Sequence, residues 1–178
     1  PFLNKDIFKI IKYAKDKTTF VKLDTNATLL TEEKAMQMLE ACPDILSISI
    51  DGATKETYEK IRIPAKFETF LENTKNFIQL RNKMKKFKTQ IHSFMVVQKD
   101  NFHELPDYIK LANDLGVDSI NGTFVIRLGN NENDDTGLDN ITSAQAENVY
   151  QRTKEIIKDI KVPLRMDNLI EFFQNFDS

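Results

Sequence analysis

A chain of 178 residues with 40% apolar side chains suffices for one well-packed domain and is short for two. Its 25 basic and 27 acidic side chains nearly cancel to a net charge of −2, which removes the basic footprint expected of a nucleic-acid or membrane-surface binder. One cysteine, Cys42, excludes a disulfide framework and any cysteine-only metal site within the chain, so no metal ligands are assigned.

Helical and strand patterns then alternate. Residues 4–16 place Ile7, Ile10, Ile11 and Ala14 on one helical stripe, with Asn4 as the expected cap. "FVKLDTN" (20–26) reads as a strand, and Thr31 opens a helix whose Glu32 and Glu33 suit its positive end. "ILSISI" (45–50) is a second strand, 67–85 a long helix, and "TQIHSFMVV" (89–97) a third strand. Arg81, on that long outer helix, is expected at the surface. Asn101 is the expected cap of a helix that Gly116 terminates, before a fourth strand within 117–126. Residues 128–141 form one long acidic loop, Ser143 opens a helix to about 160, "VPLR" (162–165) is a short strand, and 168–176 a last helix. No apolar run approaches a membrane span and no leader opens the chain, so a cytoplasmic location is expected. The absence of a starting Met, and an opening that falls mid-pattern, point to a piece of a longer protein.

Such alternation predicts an α/β fold, one domain over 1–178 with a parallel sheet joined by right-handed crossovers. Side chains alternate along strands, so Lys22, Asp24 and Asn26 share a face, as do Ser47, Ser49 and Asp51, Gln90 and His92, and Ser119, Asn121 and Thr123. A sheet with helices on both sides would be apolar on both. One apolar and one polar face instead predict a barrel, or part of one, around a ligand cavity whose site lies at the C-terminal ends of the strands.

"SISIDGATKETYEKIR" (47–62) concentrates two hydroxyls, a carboxylate and Arg62 about the end of one strand. With "PFLNKDIF" (1–8), "LDTNATLLTEE" (23–33) and "VVQKDNFHELPDYIKLANDLGVD" (96–118), it resembles the radical S-adenosylmethionine (radical SAM) superfamily, in that family's order and spacing up to about residue 127. The likeness is to the group with molybdenum-cofactor, haem and peptide maturases. Ala27 stands where the family usually has glycine.

The resemblance implies a partial TIM barrel and a parent protein that reductively cleaves S-adenosylmethionine to a 5′-deoxyadenosyl radical for hydrogen abstraction. Carried over, Ser49 contacts ribose and Arg62 the methionyl carboxylate, Asp51 braces the loop or a ligand hydroxyl, and Thr25 and Asn26 lie at the cofactor or substrate edge. A planar guanidinium fork suits a carboxylate, and a hydroxyl suits either oxygen type. The family's three-cysteine loop, C-x3-C-x2-C, and its Gly-Gly-Glu are both missing from these residues. A 4Fe-4S cluster needs thiolates, so the chain alone is expected to be inactive and to hold neither cluster nor cofactor stably. The expected partner is a small-molecule or peptide substrate, and losing earlier strands would bare the edge of the first one for homodimer pairing. A cluster-free α/β ligand- or partner-binding module is the alternative. A TIM-barrel enzyme with a phosphate site is disfavoured by the lack of a glycine-rich strand-to-helix turn.

Other residues carry weaker signals. His92 is either a satisfied core histidine or a proton carrier in the cavity. His103 and Glu104 are expected to be solvated and Cys42 to be a small buried apolar group. The 130–139 stretch lacks the spacing of a calcium loop and reads as a substrate-side lid.

Overall fold

A computed structural model describes residues 1–125, 136–138 and 141–166. The expected last helix lies outside the described residues, as does most of the 128–141 loop. Five strands, β1 (Lys22–Thr25), β2 (Ile45–Ser49), β3 (Gln90–Val97), β4 (Ser119–Phe124) and β5 (Leu164–Arg165), form one sheet in the order β1-β2-β3-β4-β5. Every pairing is parallel. The α/β, partial-barrel expectation is met.

Register separates the two faces. Leu23 lies across from Leu46 and Leu46 from Ile91, with Ile48, Ile50, Met95, Val97 and Ile120 completing a buried apolar face. On the other face Asp24, Ser47, His92 and Ser119 fall in one row across four strands. Ser49, Phe94, Asn121 and Arg165 make the next row.

Helices α1 (Ile7–Asp16), α2 (Glu32–Ala41), α3 (Lys55–Ile61), α4 (Phe67–Lys83), α5 (Leu105–Leu115) and α6 (Ser143–Ile156) fill the connections. Thr31 caps α2 by accepting the Lys34 amide at 3.5 Å, and Ala35, Met38 and Leu39 are its buried side. Gly116 ends α5 at φ 82°, a left-handed turn that glycine adopts without a Cβ clash. Asn4 does not cap α1: it accepts the Asp6 amide ahead of the helix. Ser143 is the first residue of α6, not its cap. Thr142 caps it, in a capping box with Gln145. No helix among the described residues is long and apolar enough to cross a membrane.

Two expectations fail for non-local reasons. Arg81 is buried, its guanidinium paired with Asp118, whose Oδ2 also accepts the Ile91 amide at 2.7 Å. It ties α4 to the bottom of the sheet and is no surface control. The short helix α3 goes unnoticed because seven residues show little periodicity. It is held by contacts from elsewhere: Tyr58 is fully buried, stacks on Phe70 at 4.7 Å between ring centres and meets the edge of Phe67 at 5.5 Å.

Candidate functional site at the C-terminal strand edge

Asn26 follows β1, Asp51 follows β2 and Asn101 follows β3, so all three lie at the C-terminal edge of the parallel sheet. Asp51 is 5% exposed in its side chain and divides its two oxygens: Oδ1 accepts the Val96 amide at 3.1 Å, and Oδ2 receives Nε and Nη2 of Arg62. The Arg62 side chain is 31% exposed, and its Nη1 has no acceptor among the described residues. A guanidinium fixed by one edge and free at the other can still grip an anion.

Neighbouring loops hold this pair. Gly52 lies against the backbone of α3: a Cβ there would come within 2.8 Å of Tyr58 Cα, so close approach is what requires glycine. Glu104, expected in solvent, is 4% exposed and reaches the start of α3. It accepts the Ala53 amide at 2.6 Å, the Thr54 amide at 3.2 Å, and the hydroxyls of Thr54 and Thr57 at 2.5 and 2.7 Å. Burial pushes its carboxyl upward, but the Thr54 and Thr57 hydroxyls and the two amides outweigh that and hold it below the usual range. His103 is exposed, as expected. Asn101 occupies the N-cap position of the 3-10 turn (Phe102–Glu104) that leads into α5, but its side chain does not cap it: fully buried, it donates to the carbonyls of Asp51 (3.0 Å) and Val96 (2.9 Å) and accepts the Gln98 amide (2.8 Å). The loop after β3 therefore fixes the loop after β2. Neither role could be assigned from local pattern, because the partners of Glu104, and the Asp51 carbonyl that Asn101 holds, are about fifty residues away.

The other candidates are placed as follows. Asn26 is exposed and, with Arg62, lines a cavity of about 430 Å³ between the β1–α2 turn and the segment joining α3 to α4. Its Oδ1 accepts the Thr28 amide and hydroxyl at 3.3 and 2.9 Å, while its carbonyl lies 3.5 Å from the Tyr58 hydroxyl. Burial pushes that phenol up to about 12, so it stays protonated as the donor. Thr25 pairs with Ile48, is buried on the helix-covered side and accepts the Ala27 amide at 3.1 Å. Ala27 sits at φ 56°, which accounts for the family's glycine at that position. Ser49 is half-buried on the polar face, two residues before Asp51. Ser47, beneath it, keeps a buried hydroxyl with no partner.

His92 is covered to 9% exposure and bonds Gln90 Oε1 at 3.2 Å through Nε2. Burial first, then the charges of Arg165 and Lys22, lower its pKa below 6.5, against a smaller opposing effect of Asp118. The imidazole is neutral at pH 7. Cys42 is half-buried, not fully so, at a left-handed turn just before β2, on the opposite edge of the sheet from Asp51. Among the described residues no three His, Cys, Asp or Glu side chains gather as metal ligands. A three-thiolate iron–sulfur cluster therefore does not fit these residues. The donors at the C-terminal edge, a half-free guanidinium, hydroxyls and a carboxamide, do fit the carboxylate and ribose of S-adenosylmethionine.

A five-stranded parallel sheet with alternating helices and a braced cation at its C-terminal edge defines an α/β fold of the partial-barrel type. The Radical SAM superfamily model matches residues 1–112, and the chain belongs to that superfamily. It is 30% identical over 175 residues to an AdoMet-dependent heme synthase of Methanosarcina barkeri (strain Fusaro), covering 98% of this chain and 47% of that protein. A PqqA peptide cyclase of Bradyrhizobium diazoefficiens is 22% identical over 120 residues, covering 67% of this chain and 30% of that protein. Streptococcus suis SuiB bound to S-adenosylmethionine superposes with a TM-score of 0.63 at 10% identity, over 91% of this chain and 34% of that one. Bound to its precursor peptide SuiA, SuiB gives 0.66 at 8% identity, over 91% and 35%. At such identities the solved structures share the fold alone. The chain spans about half the length, or less, of these curated relatives.

Proposed function

We propose that the chain is the central-to-C-terminal portion of a cytoplasmic radical SAM enzyme and holds the methionyl and ribose side of S-adenosylmethionine. The observation that carries this is Arg62, locked to Asp51 by two nitrogens with its third directed to no protein acceptor among the described residues. Ser49 offers a hydroxyl to ribose or carboxylate oxygens on the same sheet edge, and Asn26 lines the cavity beside Arg62. Thr25 shapes the turn after β1, and Asp51 orients the guanidinium. When bound, S-adenosylmethionine supplies a 5′-deoxyadenosyl radical for hydrogen abstraction once a four-iron cluster reduces it. The cluster's thiolates would come from outside this chain, so the chain is inactive alone. The substrate is a small molecule or a peptide. That Cys42 lies at the wrong edge also favours a second reading, a cluster-free module that binds a ligand through the same edge. An in-frame C-x3-C-x2-C upstream in the gene separates the two.

The test is anaerobic calorimetry on the full-length, cluster-loaded protein. Losing a charge-assisted pair worth about 1.5 to 3 kcal/mol, Arg62→Ala should bind S-adenosylmethionine roughly ten- to hundredfold more weakly. Arg62→Lys keeps the charge without the fork and should recover part of that loss. Ser49→Ala should cost about 1 kcal/mol. Lys75→Ala, exposed on α4, is the control. Wild-type affinity in a folded, cluster-loaded Arg62→Ala would overturn the assignment.

A further inference from the structure

Among the described residues, three cations stand on the polar face of the sheet or at the edge above it, and two are paired with carboxylates. Lys22 lies 3.5 Å from Asp24, and Arg62 is held by Asp51 at the edge above. Arg165 is the exception. It ends β5 opposite Asn121, which puts it on the same face as Ser49 and Phe94, and it has no acidic partner among the described residues. It is exposed, as is Asp24 at the β1 end of the row below, whereas Ser47 at 1%, Ser119 at 3% and His92 at 9% are covered. Asn121 beside it is committed to the protein, donating to the carbonyls of Ser93 at 3.0 Å and Ser119 at 3.3 Å. A guanidinium exposed on the polar face of the sheet, with no acidic partner among the described residues, is suited to take an anion.

We propose that Arg165 anchors a carboxylate of the substrate on the β4–β5 side of the sheet, across from the Arg62 edge. This rests on the radical SAM reading above and adds the substrate class to it. A carboxylate suits the site better than a phosphate. The groups around His92 are Gln90 on its own strand, Lys22 and Asp24 from β1, Ser47 from β2, Asp118 and Ser119 at the start of β4, and Arg165 from β5. Among the described residues, with Lys22 and Asp24 paired, Asp118 bound to Arg81 and the neutral imidazole favoured, one positive charge remains. One charge balances a carboxylate, whereas a phosphate dianion would leave one negative charge uncompensated.

The proposal is tested on the 178-residue chain by NMR, following the Arg165 side-chain N–H and the His92 ring, with glutarate as probe and glutaramide as its uncharged counterpart. Glutarate should shift the Arg165 signal and raise the His92 titration midpoint, because a bound carboxylate cancels the cation that disfavours imidazolium. Glutaramide should do neither. Arg165→Gln should raise the His92 midpoint without ligand and bind glutarate about tenfold more weakly or worse, while Arg165→Lys keeps the low midpoint and binds with intermediate strength. A glutamate-containing tripeptide that binds more tightly than glutarate would assign the carboxylate to a peptide, and equal or weaker binding would assign it to a small acid. Either result supports the subsite. Unmoved Arg165 and His92 signals, or an identical response in Arg165→Gln, would overturn it. Failure of the Arg62 calorimetry alongside an intact glutarate response would remove the cofactor assignment and leave the carboxylate subsite standing.

Discussion

Glu104 and Gly52 matter at the candidate site without touching its open side. Glu104 accepts four hydrogen bonds at the start of α3, and its folded pKa is depressed. Its contribution is therefore complete above the ordinary value of 4.5 and lost as pH falls through the lower folded value. Glu104→Gln should cost about 1.5 to 3 kcal/mol at neutral pH, because charged acceptance is replaced by neutral. Urea unfolding of wild type and variant should then converge as the pH drops below the carboxylate range, and a constant gap would contradict this account. Gly52→Ala would drive a methyl into the backbone of α3 and should cost about 1 to 3 kcal/mol as overpacking, read as a lower denaturation midpoint. The glycine was visible in the sequence, but its reason was not, since the atom it avoids belongs to Tyr58 on the next helix. Likewise the carboxylate of Asp51 was legible as a brace, while its partners Val96 and Arg62 emerge only from the packed loops. Arg81 shows the opposite failure: α4, whose polar positions are mostly Glu, Asn, Thr and Lys, gives no sign that one cation turns inward to Asp118.

At the scale of elements, strands and long helices were legible because burial imposes period two or 3.6 on them. α3 was not, since its persistence depends on Glu104 at one end and on the ring stack of Tyr58 with Phe70 along its side. The two kinds of helix should respond differently to cap removal. Thr142 belongs to a self-contained capping box with Gln145, so Thr142→Ala should cost about 0.5 to 2 kcal/mol of stability. S-adenosylmethionine affinity should stay unchanged in the full-length protein, because among the described residues the side-chain bonds of Thr142 run to Gln145 and those of Arg62 to Asp51, with none between them. A loss of affinity at unchanged stability would show α6 to be coupled to the cofactor edge.

At the scale of the molecule, β1 is the terminal strand of the sheet, and Phe20 just before it is 67% exposed. A parallel edge with no strand paired to it among the described residues, beside an exposed ring, offers backbone donors and an apolar contact to a second chain. Sedimentation of the 178-residue chain should show concentration-dependent self-association. A monomer at every concentration up to the solubility limit would refute the edge-pairing expectation.

The unbroken strand order has a further consequence, for synthesis on the ribosome. Each strand pairs with the one made immediately before it: Lys22 waits 23 residues for Ile45, and Ile45 waits 45 for Gln90. Every new strand thus finds its partner already exposed, and the growing sheet needs no later insertion between finished strands. The cost is that parallel pairing must await the crossover helix, so the newest strand remains an open edge for the time taken to translate the next unit. Translation pauses should therefore act chiefly on aggregation, since a stalled nascent sheet presents a bare strand to its neighbours on the same polysome.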